Sequence, residues 1–475
     1  MKSIVLLLLL FLSLHQVDGQ LLSPSDMQED FTIFKESVKE IHPGLYWYAD
    51  AAEIDSRFQK IEKQITNELE IGSFYGLLQK FYAEIRCGHS WMSMPYRWVK
   101  KLDRGPHTIP AGFYLEKDRI VVFRDLTKEE KLPIGDEVIS INGISSKRLL
   151  DTLKQYTPTD GYAETRQIRI LASNFSRYYQ LHYGVDSVFE ITLENGASRK
   201  SISLKGATRK EVDSIANARY PRSSQQQKLL NFSILPNDIG YLKLNSFSKS
   251  EIKEGKQRFK KFLKESFNAL EGGKVNKLIL DLRGNGGGED HYGALVCKYL
   301  LQEPFRYYLR MEATTRKFNY KQYSYNKGYN IIGKLLKKDK EAEGFYTYNF
   351  SRQLKTQKPF KNNFTGKVVV LIDGGTFSAA TECTSILHAN QRALFIGDET
   401  GGGYFGNNSA LMYGIRLPNS KISYYLPVIR YFVAVEDETL VGRGLIPDIS
   451  LPRTYEHFIS AEDEVLELAK TSFSK

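Results

Sequence analysis

The residues best placed to do covalent chemistry sit in the run Asp373-Gly374-Gly375-Thr376-Phe377-Ser378-Ala379-Ala380-Thr381-Glu382, directly after the apolar stretch Val368 to Ile372. A serine at a strand-to-helix turn, flanked by small residues, keeps its hydroxyl free and lies beside the unpaired amides of a helix N-terminus, where developing negative charge is stabilised. Serine also caps helices in that position, so the segment alone leaves nucleophile and cap both open for Ser378. A second loop of the same kind follows Leu278-Ile279-Leu280-Asp281-Leu282-Arg283 and reads Gly284-Asn285-Gly286-Gly287-Gly288. Glycines let a substrate carbonyl approach backbone N–H groups, as an oxyanion hole requires. The rival use, a dinucleotide loop, fails at its sixth position, which is Glu289, and no GxxxxGK[ST] run occurs.

A serine hydroxyl is a weak nucleophile until a base takes its proton, and histidine has the pKa for that task. His89, in Gly88-His89-Ser90, follows a helical pattern broken by glycine; His291 follows the glycine loop. On residue type alone His89 reads first as a capping or core histidine.

The elements that must carry these residues follow from periodicity. Phe31, Phe34 and Val38, and again Phe74, Leu77, Leu78 and Phe81, recur at three- and four-residue steps, which predicts a helical region over about 23–94. From about 106 to 204 the pattern turns to short strands, two of them within 110–123 around a charged turn, with one helix at 147–156. Beyond 239, apolar strand-like runs alternate with helices, which predicts an α/β core with crossover helices. The Lys- and Tyr-dense stretch at about 304–362 reads as an insertion or lid.

Two further segments, Gly397-Asp398-Glu399-Thr400-Gly401-Gly402-Gly403 and Gly442-Arg443-Gly444-Leu445-Ile446-Pro447-Asp448-Ile449, complete an ordered set. From about residue 75 to the C-terminus the chain resembles the S41, or C-terminal-processing, peptidases, whose motifs run LDLRxNxGG, SAxxE, GExTxGxG and GxxPD. The resemblance implies Ser378 as nucleophile, with oxyanion donors from the amides of Ala379 and of Gly286 or Gly287. The better-known branch takes its base from a Lys in the third motif, and here that position is Gly403. Another branch, resembling the tricorn core and the relatives of retinoid-binding modules, uses a His at the end of the N-terminal helical region, which implies His89 as base. Its acidic partner falls near Glu436, Asp437 and Glu438, but the nearest matching position is Val441, so Glu438 and Glu436 both stand as candidates. Separately, Gly135-Asp136-Glu137-Val138-Ile139-Ser140-Ile141-Asn142-Gly143 resembles the PDZ domains of proteases, which bind extended peptides by strand addition.

Composition sets the bounds. The chain has 475 residues, 41% hydrophobic and 25% charged, which suits several packed units and no long disorder. The +11 formal charge is spread along the chain rather than gathered in a basic arm, which argues against a nucleic-acid partner. Three cysteines in no CxxC or Cys/His spacing exclude a full disulfide framework and speak against structural zinc. Lys2 and the apolar run Ile4 to Leu14 are too short to span a bilayer and predict a signal peptide over 1–19, hence a secreted or periplasmic protein without a membrane span.

The expectation is therefore an α+β, α/β multidomain chain: a helical region (20–104), a PDZ-like β domain (105–205), a ClpP/crotonase-like catalytic core (225–455) with the 304–362 insertion, and a C-terminal helix (456–475). It is expected to be an exported serine endopeptidase acting on polypeptides, including their C-termini through the PDZ-like domain, with no cofactor and no metal. The alternative is a non-catalytic peptide or small-ligand binder on the same fold.

Overall fold

Three helices, Pro24–Ile41, Ala51–Glu62 and Ile71–Glu84, open the chain in the computed structural model, which describes residues 21–221, 228–325, 328–339, 342–436, 438–460 and 462–474. The expected signal peptide and the polar stretch Ser223–Gln227 lie outside those residues. The first helix starts where Ser23 accepts from the Asp26 amide with Pro24 in its first turn, and the second where Asp50 accepts from Glu53. Their apolar stripes bury Phe31, Phe34, Val38, Phe58, Phe74 and Phe81 completely or nearly so, and Phe58 stacks on Phe81 at 4.3 Å.

Residues 111–205 form a separate antiparallel sheet in the order Ala111–Leu115, Ile120–Asp125, Glu137–Ile141, Val188–Asn195, Ser198–Lys205. Helices Ser146–Lys154 and Glu164–Tyr183 close it over its own apolar core, which includes Val122, Val138, Leu149, Leu171, Phe175 and Ile191. Periodicity found the strands and the first helix but passed over the twenty-residue helix Glu164–Tyr183, whose buried positions are few and interrupted by a kink at Asn174. Among the described residues strand Ala111–Leu115 ends the sheet, with no further strand paired to its outer edge.

The central sheet runs Leu230–Leu235, Ile239–Leu244, Lys277–Asp281, Lys367–Ile372, Leu394–Gly397, Ile449–Ser450, parallel throughout except for its first pair. Its strands read as continuous apolar runs because both faces are covered. Leu242, Leu278, Leu280 and Val370 point into the main core, whereas Ile279, Val369 and Leu371 pack against the C-terminal helix Glu464–Thr471.

The stretch expected as an insertion or lid is built into the body of the fold. Strand Tyr308–Ala313 pairs with Ile429–Val433 inside a five-stranded sheet, and Tyr307 and Tyr308 are fully buried. Its composition mimics a solvated loop although Tyr307 and Tyr308 bury their rings, because the lysines among them stay at the surface. The chain as a whole is an α+β, multidomain protein.

Candidate active site

Two parallel strands end side by side, with Asp281 in register with Leu371, and each releases one of the loops singled out by composition. Ligand sites of parallel sheets lie at such carboxyl ends. The loops are tied together. Asp373 Oδ1 accepts from the amides of Gly284, Gly375 and Thr376, the Thr376 hydroxyl donates to Leu282 O, and the Phe377 amide donates to Asn285 O.

Ser378 ends this turn at φ 54°, ψ −130°, and helix Ala379–Ala389 begins at the next residue. A non-glycine residue held there carries backbone strain, and the sharp turn lifts its hydroxyl out of the loop. Ser378 makes no capping bond to the helix, so its side chain is left for another partner. That partner is His89: Nε2 lies 3.0 Å from Ser378 Oγ. The histidine ring stacks on Phe377, 4.7 Å between centroids, and an added Cβ at Gly88 would come within 2.8 Å of that same ring. Ser90, next in sequence, is anchored by His42, whose Nδ1 accepts from Gly44 N and whose Nε2 therefore donates to Ser90 Oγ at 2.9 Å.

Burial and then the neighbouring Arg166 cation push the His89 imidazole down to about 3, so the ring is neutral at ordinary pH. With Nε2 facing the hydroxyl as acceptor, the ring proton resides on Nδ1. That atom is buried and has no hydrogen-bond partner among the described residues.

Neither acid expected from sequence is seen beside the ring among the described side chains. Glu436 is exposed, and the side chain of Glu438 lies outside the described residues, although its backbone opens a short 3-10 turn. The carboxylate that does approach is Asp160, buried at 2% exposure, with an oxygen within 4.8 Å of a His89 ring nitrogen. Asp160 accepts from Gly88 N at 2.7 Å and from Gly403 N at 3.4 Å, so it pins the histidine loop to the third motif. Burial raises its carboxyl to about 6. Sequence reading missed it because Pro158-Thr159-Asp160-Gly161 has the composition of any polar turn. The one available signal was its place just before an unrecognised helix.

The oxyanion candidates separate in the structure. Ala379 is the first helical residue, so its amide has no partner within the helix. Gly286 is exposed with open space around it. The Gly287 amide is already committed to Asn285 Oδ1 at 2.9 Å, which removes it from the expected set of donors. His291 faces Glu289, 3.5 Å from Nδ1 to the carboxylate. The remaining motif residues brace loops: Glu399 takes Arg443 in a bidentate pair and the Gly444 amide, and Asp448 accepts from Phe395 N.

Cys87, His89 and Asp160 bring potential metal-ligand atoms within 4.8 Å of one another. Each has other work: Cys87 donates to Asn408 O, and Asp160 and His89 are engaged as above.

A cavity of about 1900 Å³ lies between strand Ala111–Leu115, helix Glu164–Tyr183 and the core, reaching Asp373, Gly374 and Asp398.

Comparison with known proteins agrees with this architecture. The structure of mature CPAF complexed with lactacystin superposes with a TM-score of 0.63 over 95% of this chain and 98% of that one, at 12% identity. Mature CPAF gives 0.63 over 94% and 96%, at 14% identity. These identities establish shared fold only. The photosystem II D1 C-terminal processing protease, at 15% identity over 93% and 96%, has a TM-score of 0.42 and adds no weight. No curated protein matches the chain in sequence. The model of peptidase family S41 matches residues 238–451, a stretch that holds the serine, both glycine loops and the two closing motifs and is similar there to the family S41 peptidases.

Proposed function

We propose that this chain is an exported serine endopeptidase in which Ser378 attacks, His89 serves as base and backbone amides hold the oxyanion. The observation that carries the reading is the 3.0 Å contact between His89 Nε2 and a strained, uncapped Ser378 at a helix N-terminus. Neutral His89 takes the hydroxyl proton as Ser378 Oγ bonds to the peptide carbonyl carbon. The resulting oxyanion lies toward the Ala379 amide and the open Gly286 turn, where the helix dipole favours negative charge. The imidazolium then protonates the leaving amine, and water, deprotonated by the same ring, releases the acyl group from Ser378.

Asp160 is the positioning acid in this scheme. A gap of up to 4.8 Å to the ring is spanned by one water, since two hydrogen bonds of about 2.8 Å reach that far, or is closed by a small ring rotation. The negative carboxylate holds the Nδ1 proton and offsets the charge that the ring gains.

The domain of residues 111–205 serves as the PDZ-like module, taking an extended peptide, its C-terminus included, along the free edge of Ala111–Leu115. The adjoining cavity leads such a peptide toward Asp373 and the serine turn. Lys2 and the apolar Ile4–Leu14 support export to a secreted or periplasmic location.

The test is labelling by a serine-reactive phosphonate probe. Modification of the wild type at Ser378, lost in Ser378→Ala and in His89→Ala, supports the reading. A wild-type protein that stays unlabelled while binding peptides supports the non-catalytic binder.

A further inference from the structure

Helix Glu164–Tyr183 delivers one more residue to the site, Arg166, which the reaction above does not use. Its guanidinium carbon lies 4.0 Å from the centre of the Phe377 ring, the residue before the nucleophile. Its stem rests on the third motif, since an added Cβ at Gly401 would stand 3.0 Å from Arg166 Cδ.

What is unusual is the absence of a partner. Nε of Arg166 is buried without a hydrogen bond, and no carboxylate lies within ion-pair reach among the described residues. Arg166 as a whole is half-buried, and its terminal nitrogens have no hydrogen bond among the described residues. Its neighbour Arg169, by contrast, is paired with Asp373 at 3.2 Å. Asp160 feels the Arg166 charge but spends its oxygens on the Gly88 and Gly403 amides. A partly desolvated cation with a flat face already stacked and its donor edge free is prepared for a planar anion.

Resting on the peptidase reading above, we propose that Arg166 binds a carboxylate of the substrate beside the scissile bond, and so directs cleavage toward acidic sites or toward a free C-terminus. Both sources present the same planar anion to the guanidinium fork. The site thereby selects peptides by charge at a position set by the Phe377 and Gly401 walls.

The experiment compares peptides that differ in one carboxylate, Glu against Gln at successive positions around the cut and free against amidated C-termini. They are cleaved by wild type, Arg166→Gln and Arg166→Lys. The expected result is a preference for the carboxylate form of about 10- to 100-fold in kcat/KM, carried by an internal Glu or by the terminus. In Arg166→Gln the ratio between carboxylate and uncharged peptides falls to about one, and Arg166→Lys restores part of it. Wild-type indifference to the carboxylate overturns the proposal. So does an equal loss on charged and uncharged peptides, which would make Arg166 a counter-ion for Asp160. If wild type cleaves none of the peptides, the peptidase reading fails instead, and binding of the same pairs to Ser378→Ala protein, read by fluorescence anisotropy, still decides on Arg166: carboxylate forms binding no tighter than their amides overturn it.

Discussion

Gly287 stands so close behind Ser378 that a Cβ added to it would lie 2.7 Å from the serine Cβ and 2.7 Å from Phe377 O. Its φ of 91° also excludes most other residues. Gly287→Ala must therefore either push the serine turn away or distort the loop that meets it. The expected outcome is loss of detectable turnover with a destabilisation of about 1–3 kcal/mol, read by activity and urea melts. A Gly287→Ala protein with normal activity would show that the turn is looser than this packing implies.

Ser378→Ala deletes one partly exposed hydroxyl and leaves the fold standing. Turnover should fall by about 10⁴-fold or more, and His89→Ala should fall comparably, with the double variant hardly worse than either. Additive losses would mean that the two residues do not act as a unit.

The pH profile assigns the acid. His89 is neutral above about 3, so its own protonation cannot set a limb near neutrality. Asp160 loses its proton through about 6, and only the carboxylate supports the imidazolium, so rate should rise with pH through that region. Asp160→Asn should drop kcat by about 10³–10⁴-fold, as seen when the triad acid of serine proteases is amidated, and abolish the limb. An unchanged limb in Asp160→Asn would return the role to another group.

His42 is buried and held neutral, its imidazole down to about 3 by desolvation. The unfolded chain binds that proton below about 6.5 while the folded one does not, so this contribution to stability is present above 6.5 and is lost as pH falls toward 3. Glu382, raised to about 7 chiefly by burial, and Asp160 act oppositely, weakening the fold as pH rises. Subtraction isolates the histidine: His42→Asn should begin less stable at pH 7 and lose less on acidification than wild type, measured by urea melts from pH 7 to 4.5. Parallel curves would contradict the buried neutral ring.

Much of this was legible in the sequence because it is written in local pattern. The serine turn and glycine loop announce themselves by small residues after apolar strands, and the parallel strands by their unbroken runs. Asp160 and Arg166 were not legible. Their roles come from contacts with residues 72 positions back at Gly88 and far ahead at Gly403 and Phe377, which no spacing encodes. Glu436 looked suitable because acids cluster before Gly442, yet strand Ile429–Val433 leads it out to solvent. Gly287 lies in the glycine loop, but Asn285 folds back on its amide.

The most direct measurement is hydrolysis of an unfolded protein substrate by wild type, Ser378→Ala and His89→Ala side by side, followed by the appearance of new amino termini. The account predicts steady cleavage by wild type and none above background by either variant. Cleavage by Ser378→Ala within a few-fold of wild type would contradict it.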